Sequence, residues 1–200
     1  MPAATTVLSG ADVAERIGAA VPDAVEETAE GWVRIRADKL VEVARFLHDD
    51  RELDARYLQS LSGLDRYDHF EVVYHLASLS HNHVLVLKVR ADHEQPEVPS
   101  VVSVWLGAHL QEREAYDLLG IQFTDHPDLK RLFLWEGFPG HPLRKDFMSL
   151  PGGFKPGLQR FPNEDPSQWG GGVPCRSRLS PSSSTSAPST PPPTASSACA

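Results

Sequence analysis

Cysteine is almost absent from the chain, and its position matters more than its number. Both cysteines, Cys175 and Cys199, lie in a polar stretch near the C-terminus, so the sequence before residue 175 contains no thiol. Iron–sulfur clusters are held by Cys thiolates, and a disulfide needs two cysteines. We therefore expect a folded region with neither a cluster nor a disulfide, as is usual in a reducing compartment.

Long apolar runs and basic charge are also scarce. No stretch approaches the roughly 20 apolar residues that span a bilayer, and Met1–Thr6 lacks the basic start and apolar core of a signal peptide. The net charge is −8, and the acidic excess lies in residues 1–120, where it repels phosphate backbones. We expect a chain that is made in the cytoplasm, does not bind nucleic acid and contacts a membrane only through partners.

The motifs of several enzyme classes are missing as well. The sequence contains no G-x-S-x-G nucleophile turn and no H-E-x-x-H zinc motif. The glycine-rich stretch at residues 152–157 lacks the Gly-Lys-Ser/Thr that would bring a lysine and Mg²⁺ to nucleotide phosphates. These absences disfavour a serine hydrolase and a nucleotide-binding enzyme.

Hydrophobic periodicity predicts an α+β domain. Apolar residues recur at helical spacing through Gly10–Ala20, Trp32–Arg36 alternate as in a strand, and Asp38 is placed to cap a second helix. Three antiparallel strands are then predicted, at Tyr57–Leu64, Phe70–Leu79 and Val84–Ala91. The expected fold is an antiparallel sheet of about four to five strands with two to three helices.

The rest of the chain divides at Gly120. A third helix is predicted to begin between Ser100 and Ser103, either of which could cap it, and to end at Gly120, a residue suited to a left-handed helix stop. Beyond it, Pro and Gly are frequent and neither helical nor strand periodicity is present. We expect an α+β domain at 1–120, an extended Pro/Gly-rich interaction arm at 121–166 and a disordered Ser/Pro/Thr-rich tail at 167–200.

Histidines suggest a metal site, which the surrounding sequence does not support. His81 and His83 would share one face of a strand, but they lie in a predicted turn without a Cys ligand nearby. We interpret them as ordinary polar turn residues and predict no metal site.

Carboxylates crowd the third helix. On a helix Glu112 and Glu114 lie about 200° apart, so they cannot act on the same substrate atom. Arg113 can instead pair with Asp117, and Glu112 with the hydroxyl of Tyr116, because both pairs are four residues apart. We therefore predict no catalytic residues here, and charges that fix the helix against a partner surface.

The predicted arm carries many large apolar side chains. Two interpretations remain open: these side chains bury in an interface with another protein, or they fold back onto the chain's own sheet. The side chains concerned are Leu129, Phe133, Trp135, Phe138 and Phe147.

Three charged blocks in this order resemble a known family. They are similar to the signature of the C subunit of bacterial NADH-quinone oxidoreductase, the thirty-kilodalton-class subunit of respiratory complex I. The resemblance is specific from about Val98 to Phe147. The motif residues are Glu112, Arg113, Glu114, Tyr116, Asp117 and Gly120; then His126, Pro127, Asp128, Leu129, Lys130 and Arg131; then His141, Pro142, Leu143, Arg144, Lys145 and Asp146.

The resemblance implies a role as well as a fold. It implies a scaffold subunit in the peripheral arm of the complex, on the cytoplasmic side of the bacterial membrane. Its partners would be the quinone-site (D-type) subunit and the cluster-bearing B-type and I-type subunits. NADH, FMN, iron–sulfur clusters and quinone would belong to the complex, with no cofactor bound by this chain. Arg113, Arg144 and Lys145 are expected to contact partner carboxylates or carbonyls, with Arg144→Ala weakening assembly but not the isolated fold.

Two other functions remain as alternatives. One is the equivalent scaffold subunit of a membrane-bound hydrogenase or another quinone- or ferredoxin-linked complex. The other is a metal-dependent hydrolase that would use the His81–His83 turn with Glu112 and Glu114. Copurifying proteins separate the first alternative from the complex I role, and metal titration tests the second.

Overall fold

The structure is a computed structural model that describes residues 5–147. Its α+β class agrees with the prediction from the sequence. The strands are β1 (Thr6–Val7), β2 (Val25–Ala29), β3 (Trp32–Ile35), β4 (Tyr57–Asp65), β5 (His69–Ser78), β6 (His83–Asp92), β7 (Glu97–Pro99) and β8 (Gln122–Thr124). The helices are α1 (Gly10–Ala20), α2 (Leu40–Asp49) and α3 (Ala108–Leu119).

Six strands form one mixed sheet. Its order is β2-β3-β6-β5-β4, and β1 pairs with β6. The predicted antiparallel meander is present as β4, β5 and β6. The sheet is mixed because β3 and β1 both run parallel to β6. Two strands of this sheet were not predicted from the sequence: β1, which has only two residues, and β2, whose central residues are exposed and show no apolar alternation.

The helices pack on one face of this sheet. That face carries Phe70, Val72 and Tyr74 of β5, all fully buried, next to Leu87 and Val89 of β6. The apolar sides of α1 and α2 complete the same core, with Trp105 and the inner side of α3 at its edge. In the described part of the chain, no helix is both long enough and apolar enough to cross a membrane.

Two predicted helix starts are wrong. Asp38 does not cap α2, since its carboxylate binds the Arg36 guanidinium (2.9 Å) and a short 3-10 turn at Ala37–Lys39 leads into the helix. Neither Ser100 nor Ser103 caps α3, which begins at Ala108 after a series of turns. The predicted stop at Gly120 is confirmed by its left-handed φ of 76°.

The chain after Gly120 is more regular at its start than its composition suggests. Gln122–Thr124 forms β8, which pairs in parallel with β7 in a small second sheet. Ile121 and Phe123 are buried in the main core. The proposed division of the chain at residue 120 and the character of the tail stay predictions, and residues 148–200 lie outside the described part.

Gly10 provides a sharp test of the packing of α1. A Cβ at this position would collide with the backbone carbonyl oxygens of Ala29 and Trp32, which cannot move away as a side chain could. We expect Gly10→Ala to lower the free energy of unfolding by about 1–3 kcal/mol or more.

Gly18 of the same helix is the matched control, because nothing lies within 4 Å of a Cβ there. We expect Gly18→Ala to stabilise the protein by up to ~1 kcal/mol, since Ala favours the helix. Denaturant unfolding of both variants measures the difference. Equal effects of the two substitutions would contradict the packing of Gly10 against the β2–β3 hairpin.

Candidate functional site

The family-motif residues meet along α3 and the chain that follows it. Residues 126–147, here called the post-helix segment, lie along α3 and contact it from His109 to Leu119. Six polar side chains of the motif bind backbone groups of this segment or of α3: Arg113, Asp117, His126, Arg131, His141 and Arg144. The motif therefore forms one continuous site, although its three blocks are separated in sequence.

Asp117 is the centre of the site. Its side chain is fully buried, and its Oδ2 accepts hydrogen bonds from the backbone N–H groups of Leu132 (3.0 Å), Phe133 (2.8 Å) and Leu134 (2.9 Å). Its Oδ1 accepts from Arg131 Nη1 (3.1 Å). Burial raises the pKa of Asp117, but the three N–H groups and the guanidinium outweigh burial and leave that pKa below its usual value. Asp117 is therefore a charged, fully paired anchor.

Arg131 and Arg113 also bind backbone carbonyl oxygens of the post-helix segment. Arg131 Nη2 also donates to the carbonyl oxygen of Phe138 (3.2 Å), which closes the loop between them. Arg113 donates to the carbonyl oxygens of Lys130 (3.0 Å) and Arg131 (3.1 Å). The predicted helical pair of Arg113 with Asp117 is therefore replaced, because both side chains bind the post-helix segment.

The second half of the segment covers the end of α3. The last carbonyls of a helix lack partners within the helix. Here Leu143 N–H donates to the Leu118 carbonyl (3.0 Å), Arg144 Nε donates to the Leu119 carbonyl (2.6 Å), and His141 Nδ1 bonds to the Asp117 carbonyl (2.9 Å). Arg144, expected to contact a partner, thus has a role inside the chain, and its removal would also disturb this helix end.

Asp65, at the end of β4, fixes the last residues of the segment. Its Oδ2 accepts a hydrogen bond from the Lys145 backbone N–H (2.9 Å), and its Oδ1 accepts one from Tyr67 N–H (2.7 Å). The Lys145 ammonium group lies 3.7 Å from the centre of the Tyr67 ring, a cation–π contact. Sequence reasoning missed Asp65, whose only signal is its place at the start of a polar turn.

Glu112 is buried on the opposite side of α3 from Glu114. Its carboxyl oxygens accept from the Ser100 hydroxyl (2.6 Å) and from the Val101 backbone N–H (2.8 Å), and not from Tyr116 as predicted. Burial, only partly offset by these two bonds, raises the pKa of Glu112 to about 7. Ser100 is therefore a partner of this carboxyl group and not a helix cap.

His126 closes the site near Glu112. Its Nε2 bonds to the His109 carbonyl oxygen (3.1 Å), and its Nδ1 accepts from the Asp128 backbone N–H (3.0 Å). This arrangement requires a neutral ring with its proton on Nε2. Burial lowers the pKa of His126 and so favours the same neutral form. Glu112 Oε2 lies 4.0 Å from Nε2.

The remaining motif residues are mostly at the surface. Lys130 forms an exposed ion pair with Asp128 (2.9 Å), while Glu114 and Asp146 are exposed. Gly120, with its positive φ, leaves no room for a Cβ beside Arg144 and His141. Tyr116, Pro127, Leu129 and Pro142 complete the motif, with Tyr116 and Leu129 packed against the core.

The large apolar side chains of the segment divide into two groups. Phe138 and Phe147 are buried and stack on each other with ring centres 6.1 Å apart. Phe133 is 64% exposed, Leu143 58% and Trp135 40%. Part of the predicted arm therefore folds back onto its own chain, and part of it remains at the surface.

The two histidines considered as metal ligands, His81 and His83, bind backbone carbonyl oxygens. His81 Nε2 bonds to the Arg51 carbonyl (3.0 Å) and His83 Nε2 to the Leu53 carbonyl (2.7 Å). Within residues 5–147, no group of three or more His, Cys, Asp or Glu side chains is arranged to hold a metal ion. The constellation required by the hydrolase alternative does not form among these residues.

Comparison with known proteins decides the family. The family described as "Respiratory-chain NADH dehydrogenase, 30 Kd subunit" matches residues 33–151, which include the three motif blocks. The chain belongs to this family. The resemblance that the motif residues indicated is therefore confirmed.

Relatives within this thirty-kilodalton subunit family match over most of their length. The C subunit of NADH-quinone oxidoreductase from Roseiflexus sp. (strain RS-1) is 47% identical over 146 residues, covering 70% of this chain and 84% of the relative. The corresponding protein of Hyphomonas neptunium is 44% identical over 143 residues, covering 68% and 70%. A solved structure of the membrane-bound sulfane sulfur reductase, an archaeal respiratory membrane complex, contains a chain with the same fold at TM-score 0.57 and 22% identity, covering 69% and 85%.

Asp117→Asn tests the centre of the site. The substitution removes the charge that four hydrogen-bond donors share, so we expect a loss of about 2–4 kcal/mol in the free energy of unfolding. We also expect a protease to cut the variant sooner within residues 131–147. Glu114→Gln, on the exposed side of the same helix, should stay within about 0.5 kcal/mol of the parent. If both variants behaved alike, Asp117 would not anchor the segment.

Glu112→Gln tests the buried carboxyl group through pH. The folded-state pKa of about 7 lies above the usual 4.5, so the stability that Glu112 contributes is present below pH 4.5 and lost as pH rises through 7. We expect the parent to lose up to about 3 kcal/mol relative to the Gln variant between pH 5 and 8. Urea unfolding at several pH values measures this difference. Parallel pH profiles would show that Glu112 titrates normally.

Proposed function

We propose that this chain is a non-catalytic scaffold subunit in the peripheral arm of a proton-translocating NADH:quinone oxidoreductase. In that enzyme electrons pass from NADH through FMN and iron–sulfur centres to quinone. The chain would join the quinone-site (D-type) subunit to the cluster-bearing B-type and I-type subunits on the cytoplasmic side of the membrane. It would bind no cofactor itself, and it would keep redox centres of its neighbours at a fixed separation.

Membership of the thirty-kilodalton subunit family supports this role most directly. The site geometry agrees with it. Three charged motif side chains, Asp117, Arg131 and Arg144, are used inside the chain, where they hold the post-helix segment in place. A surface that is ordered before binding loses less entropy when a partner docks.

The exposed aromatic residues of that segment are the part of the site suited to a partner. Phe133 and Trp135 project from a backbone turn that Asp117 fixes. Large aromatic side chains on an ordered support are typical of the residues that dominate binding energy in protein interfaces. We therefore place a docking surface at Phe133, Trp135 and Leu143, here called the apolar patch.

The polar groups of the site are arranged for structure and not for turnover. Glu112, whose pKa burial raises to about 7, is sealed between Ser100 and Val101. Both ring nitrogens of His126 are engaged by backbone groups. A general acid or base must reach a substrate atom directly or through one water, and these side chains point into the protein.

A related complex is the second candidate. Chains of this fold also occur outside NADH-quinone oxidoreductase, since the membrane-bound sulfane sulfur reductase contains one. The physical role would be the same, with different electron donors and acceptors. Purifying the complex through this chain and identifying the copurifying proteins separates the two candidates.

Phe133→Ser tests the apolar patch. We expect about tenfold less of the membrane complex to copurify with the variant, because an interface aromatic residue commonly contributes more than ~1 kcal/mol. The free energy of unfolding of the isolated chain should change by less than about 0.5 kcal/mol, since Phe133 is 64% exposed.

Leu79→Ser is the matched control for this test. Leu79 is 81% exposed and follows β5, away from the post-helix segment. It should copurify as the parent does. Equal recovery of the complex with the Phe133 and Leu79 variants would remove the apolar patch from the interface.

A further inference from the structure

The main sheet has β2 at one end and β4 at the other, and the two edges are protected differently. β2 is five residues long, has a shifted register and carries the exposed Glu26 and Glu27. Short length, irregular register and charge are the usual means by which an edge strand avoids pairing with another chain. β4 has nine residues, no charged residue before Asp65, and a register shift only near its start, between Leu58 and Ser60. The later part of β4 is therefore the edge suited to further pairing.

Strand register shows which backbone groups of β4 point outward. The hairpin bond from the Arg66 N–H to the His69 carbonyl (2.9 Å) marks these two residues as a hydrogen-bonded pair. In an antiparallel pair, such residues alternate with residues whose N–H and C=O point away from the partner strand. By this alternation Leu61 and Gly63 direct their backbone groups away from β5. The Leu61 N–H agrees, since it donates to Gln111 Oε1 of α3.

Three outward groups of this edge have no partner in the described part of the chain. They are the Leu61 carbonyl and both the N–H and the carbonyl of Gly63, for which no hydrogen bond forms within residues 5–147. The Gln111 side chain therefore blocks this part of the edge at one point only. Unpaired groups in such a row are a template for another strand.

A groove of about 160 Å³ lies beside this edge, between β4 and α3. Its apolar lining is formed by Leu61, Ala115, Leu118, Leu119 and Leu143. Glu114 is the only charged side chain among the described residues that line it, and this carboxylate forms no ion pair within residues 5–147. Since a cavity of about 150 Å³ holds a benzene molecule, the groove has room for one apolar side chain.

The groove is continuous with the apolar patch proposed above. Leu143 belongs to both, and the N–H of Lys145, two residues later, binds Asp65 at the end of β4 (2.9 Å). A partner that covers Leu143 thus reaches the edge of β4 directly. Successive side chains of a strand alternate between two faces, so a strand added to β4 places every second side chain on the side of α3.

We propose that an extended segment of a neighbouring subunit adds to the outer edge of β4 as a strand, with an apolar side chain in the groove and a basic side chain beside Glu114. The inference rests on the proposed role as a subunit of a larger complex. Main-chain hydrogen bonds at a sheet edge supply affinity, and side-chain pockets beside the edge supply specificity. Leu61 and Gly63 provide the first, and the groove with its single carboxylate provides the second.

Two other occupants match the groove less well. A second copy of this chain would bring two Glu114 carboxylates together at a seam whose described lining offers no basic side chain. The chain's own C-terminal part has a Pro or Gly at least every five residues from Pro151 to Pro174, and both residue types weaken a strand. A separate subunit avoids both difficulties.

Amide hydrogen exchange tests the added strand in the unmodified protein. Among residues 61–64, only Gly63 lacks a hydrogen-bond acceptor for its N–H within the described chain, because its neighbours bond to β5 or to Gln111. We expect the Gly63 amide to exchange at least about tenfold more slowly in the purified membrane complex than in the isolated full chain, since strand pairing protects an amide.

A leucine probe identifies the occupant. A diazirine analogue of leucine replaces Leu118 in the groove or, as the matched control, Leu79, which is 81% exposed and does not line the groove. After irradiation of the purified complex, mass spectrometry identifies the captured peptides. We expect the probe at position 118 to capture a segment of another subunit that has Lys or Arg close to an apolar residue. The probe at position 79 should not capture that segment.

Filling the groove tests the same contact through recovery of the complex. Leu118→Trp places a larger side chain where the partner's side chain is expected, and circular dichroism of the isolated chain checks its fold. We expect about tenfold less complex to copurify with this variant, whereas Leu79→Trp should copurify as the parent does. Glu114→Arg should lower recovery by about threefold or more, and Glu15→Arg, exposed on α1, should not.

The outcomes separate two failures. If the chain copurifies with the complex but the Gly63 amide exchanges as in the isolated chain, no strand adds to β4 and the proposal is wrong. Capture at position 118 of no polypeptide, of a second copy or of residues 148–200 would contradict it as well, as would equal recovery with Leu118→Trp and Leu79→Trp. If the chain copurifies with no complex at all, the proposed function falls together with this inference.

Discussion

The buried carboxylate of Asp117 is the interaction on which the rest of the site depends. A charge removed from water is stable only when donors surround it, and here the backbone from Leu132 to Leu134 turns around the carboxylate to supply them. Arg131 completes the shell and, with its other nitrogen, holds Phe138. The post-helix segment takes this path because its backbone N–H groups and Arg131 bind the buried carboxylate of Asp117.

This dependence changes how the charged family motif is understood. Arg113 and Arg144 look like groups that bind a partner, but both donate to carbonyl oxygens of their own chain. The large apolar side chains that are most exposed on the segment are Phe133 and Leu143. Charge therefore fixes the shape of the segment, and we propose that its exposed hydrophobic side chains dock a partner. Such a division would suit a scaffold, because different residues would provide position and binding.

Sequence periodicity predicted the elements whose two faces differ, and it failed where local rules compete with distant contacts. β6 and α1 alternate between buried and more exposed residues. β5 is buried along almost its whole length, and it was predicted from its run of β-branched and aromatic residues. The i,i+4 rule predicted that Arg113 pairs with Asp117. The donors that Asp117 binds in the structure lie 14 to 17 residues further along the chain, where a local rule does not reach. The roles of Ser100 and Asp65 were missed for the same reason. Their hydrogen-bond partners, the Glu112 carboxyl group and the Lys145 backbone N–H, come close to them only in the folded chain.

Amide hydrogen exchange in the full-length chain tests the central claim most directly. If Asp117 anchors the post-helix segment, the amides of Leu132, Phe133 and Leu134 exchange about as slowly as those in the middle of α3, although they lie in no helix or strand. Exchange of these three amides at the rate of an unprotected chain, with α3 still protected, would contradict the account.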